Sequence, residues 1–427
     1  MSITLSEMQS RAIAAIRDWY ETRRHEQQVF RVFGYAGTGK TTTTAQAIEA
    51  LGLAPMTPGA PGGVLFGAFT GKAALVMTRK GTPAQTIHSL IYRVSEATPE
   101  EIERVTEDLT RLRRELPRMG PAERDFAMTR IAQLEMRLQD IHQPKFLLNE
   151  QSILRDADLL VLDEVSMVGE DLGRDLLAFG KPILVLGDPG QLPPVKGAGF
   201  FTEAEPDVML TEVHRQAGDS AILRLATMAR EGTPIPMGAH DEHVWRMSRH
   251  ELSAEHLLRG DQVLCATNAT RRWLNTAMKR AAGFEADYPT GQGEKIICLK
   301  NRHDLGLVNG MFLKLSDVAQ DPDDAVSFSA MVETEDGATV AGRQAFWRGE
   351  YADHIAYDPE RGRREWQIKR GLIQTSWGYA ITCHKAQGSQ FPTVVVVDEG
   401  FGRTPADRNR WLYTAITRAE WGLVILS

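Results

Sequence analysis

The run Val29-Phe-Arg-Val-Phe-Gly34-Tyr-Ala-Gly-Thr-Gly39-Lys40-Thr41 narrows what this chain can fold into more than any other part of it. Gly34, four residues, then Gly39-Lys40-Thr41 satisfies the phosphate-loop pattern G-x-x-x-x-G-K-[ST]. Its flanks give the pattern meaning. Val29 to Phe33 is apolar and largely branched, which predicts a buried strand, and Thr41 to Leu51 predicts a helix. Glycines open backbone angles closed to other residues, so successive N–H groups turn inward around a phosphate, and the helix adds its positive end at the same point. On this pattern Lys40 reaches the β- and γ-phosphates of a bound nucleotide and Thr41 places its hydroxyl on Mg²⁺.

At 427 residues the chain exceeds one ordinary core, which predicts two to four domains. Its 42% apolar and 25% charged residues are those of a soluble globular protein, with no apolar run long enough to span a bilayer. The first residues lack a basic-then-apolar leader, so the expectation is a protein of the bacterial, or phage-infected host, cytoplasm. Cys265, Cys298 and Cys383 lie far apart, which argues against a disulfide framework or a zinc site. The net charge of −7 leaves room for a local basic groove, because a bound strand feels only the nearby charges.

Residues 5–20 carry apolar positions at helical spacing behind Ser6, a suitable N-cap, and on pattern alone Gln9 reads as a solvated helix residue. Val64 to Phe69 predicts a second strand running into Thr70-Gly-Lys72. Ile102, Val105, Leu109, Leu112 and Leu116, then Ile131, Leu134, Leu138 and Ile141, recur at three- and four-residue steps on either side of Pro117-Arg-Met-Gly-Pro121. That spacing predicts an antiparallel helical hairpin over 99–142, read either as a charged packing spacer or as a strand-separating or partner-binding arm. Leu159 to Leu162 is a third strand that ends on Asp163-Glu164, and Ile183 to Leu186 a fourth that ends on Gly187-Asp188 ahead of Pro-Gly-Gln191. Ligands of parallel α/β sheets lie beyond the carboxyl ends of strands, which brings both ends beside the phosphate loop. Asp163 then holds Mg²⁺, Glu164 orients or deprotonates the attacking water, and Gln191 senses a γ-phosphate. His240, His243, His250 and His256 lack the regular spacing of a metal site.

With Asp163-Glu164-Val-Ser-Met and Gly187-Asp-Pro-Gly-Gln191-Leu-Pro-Pro194 in place, the order of motifs resembles a superfamily 1 helicase. Trp377-Gly-Tyr-Ala-Ile-Thr-Cys-His384-Lys-Ala-Gln-Gly-Ser-Gln390 and Leu412-Tyr-Thr-Ala-Ile-Thr-Arg418 narrow the resemblance to the RecD-like and Dda-like branch. It implies an α/β fold of two RecA-like phosphate-loop domains with parallel sheets, ATP between them and a single strand of DNA across their top. The first domain is expected at 1–94 and 146–205, with the hairpin inserted at 95–145. The second is expected at 206–284 and 376–427, enclosing an SH3-like β insert at 285–375.

Position by position, the resemblance turns Gln9 into an adenine-contacting residue. It assigns Gly37, Thr38, Gly39, Lys40, Thr41 and Thr42 to the nucleotide, Thr41 and Asp163 to Mg²⁺, and Glu164 and Gln191 to water and γ-phosphate. Arg215 and Arg418 match two arginines that reach ATP from the second domain. Thr70, Lys72, Thr86, His88, Thr382 and His384 match strand-contacting positions, while Trp377 suits either a stacked base or a core site. The branch moves 5′ to 3′, and its members carry a β-hairpin pin where this chain has its helical hairpin.

The implied activity is thus an ATP-dependent DNA helicase acting as a monomer on single-stranded DNA and single/double-strand junctions. The hairpin and the β insert are the expected docking places for a single-strand-binding or replication protein. A translocase that strips or loads proteins without opening duplex is the alternative. A phosphate-loop switch or kinase is the reading from a different class.

Overall fold

The computed structural model describes residues 5–57, 59–95, 98–141, 145–194, 197–212, 220–286, 288–290, 293–319, 326–349, 351 and 371–427. They form two compact units, of which the smaller one includes 91–152. The larger unit is built on two parallel sheets.

In the first sheet the strands run Ala84–Thr86, Val64–Ala68, Leu159–Asp163, Ile183–Gly187, Val29–Gly34 and Val208–Leu210 from edge to edge. Every neighbouring pair is parallel. Val64–Ala68 and Ile183–Gly187 are buried along their whole length, the unbroken apolar run expected where helices cover both faces. The helices Glu7–Asp18 and Lys40–Ala50 pack on this sheet through Ala12, Ile16, Ala47 and Ile48. Val208–Leu210 corrects an expectation: placed by sequence in the second domain, it instead extends the first sheet beside Val29–Gly34. Its short apolar run covers that strand's open edge, and Asp207 Oδ2 accepts from Arg31 N at 2.7 Å to fix the register.

The second sheet runs Ala380–Thr382, Gln262–Cys265, Phe391–Val397, Ala419–Leu426, Val244–Met247 and Gly238–Ala239. All its pairs are parallel except the last. Helices Ala221–Glu231 and Pro405–Ile416 bury Leu225, Ala229, Trp411 and Ile416 against it. Between Gln262–Cys265 and Ala380–Thr382 the chain builds a separate five-stranded antiparallel sheet. Its order is Gln344–Trp347, Ser327–Thr334, Phe312–Ala319, Lys295–Cys298 and Thr375–Trp377. Trp377 belongs to this sheet's core, 1% exposed and edge-on to Tyr351 at 4.9 Å, so its indole is not presented to a base.

In the smaller unit, Pro99–Glu115 and Pro121–Ile141 are helices that pack through Ile102, Val105, Leu109, Leu112, Ile131, Leu134 and Leu138. Exposed pairs Arg113–Glu135 at 2.6 Å and Arg137–Glu101 at 3.4 Å run across the seam. Such exposed pairs contribute little stability; the reversal is made by the short connection between Glu115 and Pro121. A two-stranded antiparallel ribbon, Tyr92–Ser95 with Lys145–Leu148, closes this unit's ends. Among the described residues no helix is long and apolar enough to cross a membrane.

Candidate active site

The loop after Val29–Gly34 turns on Gly37 and Gly39, whose φ angles of 79° and 77° lie in the left-handed region that favours glycine. Such turns aim consecutive N–H groups at one point. Helix Lys40–Ala50 starts at Gly39 with no side-chain cap, so its first-turn N–H groups remain for a ligand. A Cβ on Gly34 would stand 2.6 Å from Thr38 Oγ1 and 2.9 Å from Leu210 Cβ, which excludes any side chain there. Lys40 Nζ donates to the carbonyls of Gly34 at 2.6 Å and Tyr35 at 3.2 Å, folded back on the loop it would leave to meet phosphate. Thr41 is exposed and Thr42 half-buried at the loop's mouth, while Thr38 is buried.

Gln9 is no solvated helix residue: it is 2% exposed. Its Oε1 accepts from Ser6 N at 3.0 Å, which caps helix Glu7–Asp18, and its Nε2 donates to Thr38 O at 3.2 Å. One amide therefore joins the helix start to the phosphate loop.

A cleft of 760 Å³ opens beside the loop, lined by Gly37, Lys40, Thr41, Asp163, Glu164, Asp188, Gln191 and Arg418 among others. Burial first, then the Glu164 carboxylate, pushes the Asp163 carboxyl up to about 6. Asp188 is raised as well, mainly by burial, against the pull of Lys40. Gln191 is 7% exposed, and its Oε1 has no hydrogen-bond partner. Glu164 has φ 55°, a strained value for a residue with a Cβ, and its N–H donates to Asp163 Oδ1 at 2.8 Å.

Arg418 comes from the second sheet's side. It is 4% exposed and donates to Thr414 O at 3.1 Å, Ser389 O at 3.3 Å and Thr417 Oγ1 at 3.2 Å. Its Nη1 lies 4.0 Å from Glu164 Oε1. Arg215, the other arginine singled out in the sequence, falls outside the described residues. The oxygen donors of Thr41 and Asp163, beside carboxyls raised mainly by burial with the Glu164 charge adding to it, fit a hard divalent cation such as Mg²⁺.

The Asp163 shift sets a testable pH dependence. The folded carboxyl holds its proton up to about 6 against an ordinary 3.8, so the folded state binds the extra proton between those values. Stability of the ligand-free protein therefore falls as pH rises through that window, and the cost is complete above it. Asp163→Asn is expected to raise the thermal midpoint of the nucleotide-free protein by a few degrees at about pH 8. The gain should shrink steadily as pH is lowered toward about 4. A gain independent of pH in scanning calorimetry would contradict the assigned cause.

The six residues read as strand contacts fall into two groups. Thr70 caps helix Gly71–Arg79, accepting from Ala73 N at 3.1 Å. Thr382 caps Cys383–Ala386, accepting from Lys385 N at 3.3 Å. The chain just after the second cap meets the first, since a Cβ on Gly388 would be 3.1 Å from Thr70 Oγ1. His384 is half-buried in the same turn, and burial lowers its pKa so that the ring stays neutral. Lys72 is only 7% exposed, pairs with Glu335 Oε2 at 3.0 Å, and sits over the rings of Phe312 and Phe391 at 4.5 and 5.1 Å. Two helical turns further on, on the same face, Arg79 pairs with Asp336 at 2.5 Å. Lys72 thus offers its ammonium to the five-stranded sheet. Thr86, bonded to Ser89 Oγ at 2.9 Å, and His88, edge-on to Phe69 at 5.8 Å, form the second group at the start of Ile87–Ile91.

Two site residues escaped the sequence reading. Asp188 is 3% exposed, and its Oδ2 accepts from the Tyr413 hydroxyl at 2.6 Å; that hydroxyl in turn accepts from Ala36 N in the phosphate loop at 2.9 Å. A carboxylate at a strand end was the available signal for Asp188. Tyr413 lies in the quoted Leu412–Arg418 stretch, where the resemblance assigned a role to Arg418 alone.

An uncapped helix start behind two left-handed glycines, carboxylates at two neighbouring strand ends and an arginine from a second parallel sheet define a phosphate-loop nucleotide-binding α/β protein. The chain belongs to the AAA domain family, whose pattern spans residues 4–248. Residues 378–426 match the UvrD-like helicase C-terminal domain. The chain is 27% identical over 281 residues to the ATP-dependent RecD2 DNA helicase of Deinococcus radiodurans, a match covering 62% of this chain and 35% of that one. It therefore spans about a third of that relative's length. Its fold is similar to Bacteroides Pif1 bound to single-stranded DNA, with TM-score 0.54 at 18% identity over 100% of this chain and 93% of the other. It is likewise similar to Pif1 helicase from Candida albicans, with TM-score 0.51 at 18% identity over 100% and 95%. These findings bear out the resemblance to the RecD-like branch of superfamily 1 and the parallel-sheet α/β class.

Proposed function

We propose that the chain is an ATP-driven motor that moves 5′ to 3′ along single-stranded DNA and opens duplex at a junction, working as a cytoplasmic monomer. The observation that carries this reading is Arg418, fixed by acceptors of the second sheet yet 4.0 Å from Glu164 at the end of a first-sheet strand. A nucleotide site completed by both sheets makes hydrolysis depend on how they are seated against each other, which a motor requires and a simple switch does not.

In this reading the loop N–H groups and Lys40 hold the phosphates, with Lys40 leaving the carbonyls of Gly34 and Tyr35 to do so. Thr41 and Asp163 would hold Mg²⁺, which supplies charge neutralisation at the phosphate oxygens. Glu164 orients the attacking water and accepts its proton, Gln191 donates from its amide N–H to the γ-phosphate, and Arg418 neutralises charge in the transition state. Gln9 sits against Thr38 where it can define the nucleotide's base end. The caps Thr70 and Thr382, with His384, suit backbone contact with a strand.

ATP hydrolysis with and without single-stranded DNA, run beside strand separation on duplexes with a 5′ or a 3′ tail, tests the reading. Stimulated hydrolysis with opening of the 5′-tailed duplex alone is expected. Stimulation without opening would favour the translocase reading, for which the 91–152 unit, a helical hairpin with exposed Phe126 and Met136 instead of a β-pin, already speaks. No stimulation would sink the motor.

A further inference from the structure

Residues 35 and 36 of the phosphate loop are held from outside by the second sheet's two helices. Arg230, at the end of Ala221–Glu231, stacks its guanidinium over the Tyr35 ring at 3.5 Å. Tyr413, near the end of Pro405–Ile416, accepts from Ala36 N at 2.9 Å through its hydroxyl and donates to Asp188 Oδ2 at 2.6 Å. The other Asp188 oxygen accepts from Gly190 N at 2.9 Å, and Gln191 N donates to Asp188 O at 3.1 Å, so Asp188 shapes the turn that carries Gln191. The next residues continue the seam: Leu192 N donates to Thr414 Oγ1 at 3.0 Å, and Gln387 Nε2 donates to Leu192 O at 3.0 Å. Packing closes it, since a Cβ on Gly190 would lie 2.9 Å from Tyr413 Cε1.

We propose that Tyr413, acting through Asp188 and assisted by Arg230, is a positioning residue that ties the phosphate loop, the Gln191 turn and the Arg418 segment into one unit, so that the three are set for hydrolysis together or not at all. The chemistry follows from burial. The hydroxyl serves two partners at once, a backbone donor on the loop and a carboxylate 3% exposed. Without it the buried carboxylate oxygen and the half-buried loop N–H each lose a partner, and each relaxes on its own. Arg418 lies five residues beyond Tyr413, just past the helix's C-cap Thr417, so the hydroxyl's grip sets the distance between arginine and loop.

This inference rests on the nucleotide-site reading above, and its tests separate the two. Tyr413→Phe removes only the hydroxyl. Steady-state hydrolysis is expected to fall about tenfold or more in kcat with the KM for ATP changed less than about threefold, because the loop still binds phosphate. Asp188→Asn should give a similar loss, and the double variant should be no worse than either single one. Arg230→Gln should give a smaller loss in the same sense. Hydrogen exchange on the nucleotide-free protein supplies a readout independent of hydrolysis. In Tyr413→Phe, exchange should quicken together in peptides covering 34–41, 188–192 and 405–418, with the five-stranded sheet unchanged. Wild-type-like kcat in Tyr413→Phe, or quickening confined to the peptide that contains residue 413, would overturn the proposal. A wild-type protein with no ATPase but with the joint exchange response would overturn the motor reading and leave the coupling standing.

Discussion

Arg418→Ala is expected to lower strand-stimulated ATP hydrolysis by about 10³-fold or more, the scale on which arginines contributed to a phosphoryl-transfer site act. The guanidinium is buried and already oriented by Thr414 O, Ser389 O and Thr417 Oγ1, so little reorganisation stands between it and a transition state beside Glu164. On the proposed reading the ground state has less need of it, because the loop N–H groups and Lys40 would hold the phosphates. Nucleotide affinity, followed with a fluorescent ADP or ATP analogue, should stay within about tenfold. Arg418→Lys should recover little, since a point ammonium cannot reproduce a planar fork with three fixed acceptors. A loss below about tenfold in a variant with an unchanged thermal midpoint would remove Arg418 from the site.

Glu164→Gln should act on the other side of the same reaction. The residue is held at φ 55° immediately after the Asp163 strand, a conformation that costs on the order of 1–3 kcal/mol for a non-glycine residue. A backbone kept in that state aims the side chain away from the strand direction and into the cleft. Removing the base while keeping shape and the hydrogen-bonding amide is expected to cut kcat by about 10²–10⁴. Both nucleotide and strand affinity should survive, leaving a protein that stays bound in the ATP state. Single-turnover hydrolysis with prebound nucleotide measures this directly. A variant that hydrolyses at the parental rate would show that the proton goes elsewhere, and the raised Asp163 carboxyl would be the next group to test.

Much of this architecture was legible because its signals are local. The phosphate loop announces itself by glycine spacing between a strand and a helix, and 159–163 and 183–187 by unbroken apolar runs ending on carboxylates. Helical spacing across 102–138 marks the faces that meet in the hairpin. What was not legible depends on partners far apart in sequence. Tyr413 and Asp188 are separated by 225 positions, and no pattern links a tyrosine in an apolar helix to a distant carboxylate. Gln9 read as solvated on pattern because its two partners, a cap and a loop carbonyl, become visible only once helix Glu7–Asp18 is laid on the sheet. Lys72 matches a strand-contacting position by resemblance, and its pairing with Glu335, 263 positions later, is one that no local pattern shows. Val208–Leu210 was misassigned for a related reason: three apolar residues fit either sheet's edge, and only the pairing with Val29–Gly34 decides.

The two ion pairs from helix Gly71–Arg79 to Glu335 and Asp336 have a mechanical meaning. The five-stranded sheet is continuous with the second parallel sheet, with only Gly378 and Tyr379 between Trp377 and Ala380. Its outer turn is meanwhile pinned to a helix of the first. With one root in each half, it links them on the side of helix Gly71–Arg79. Parting the halves there has to uncover the Lys72 ammonium, which is held out of water by Glu335, Phe312 and Phe391, whereas the more exposed Arg79–Asp336 pair adds little hold.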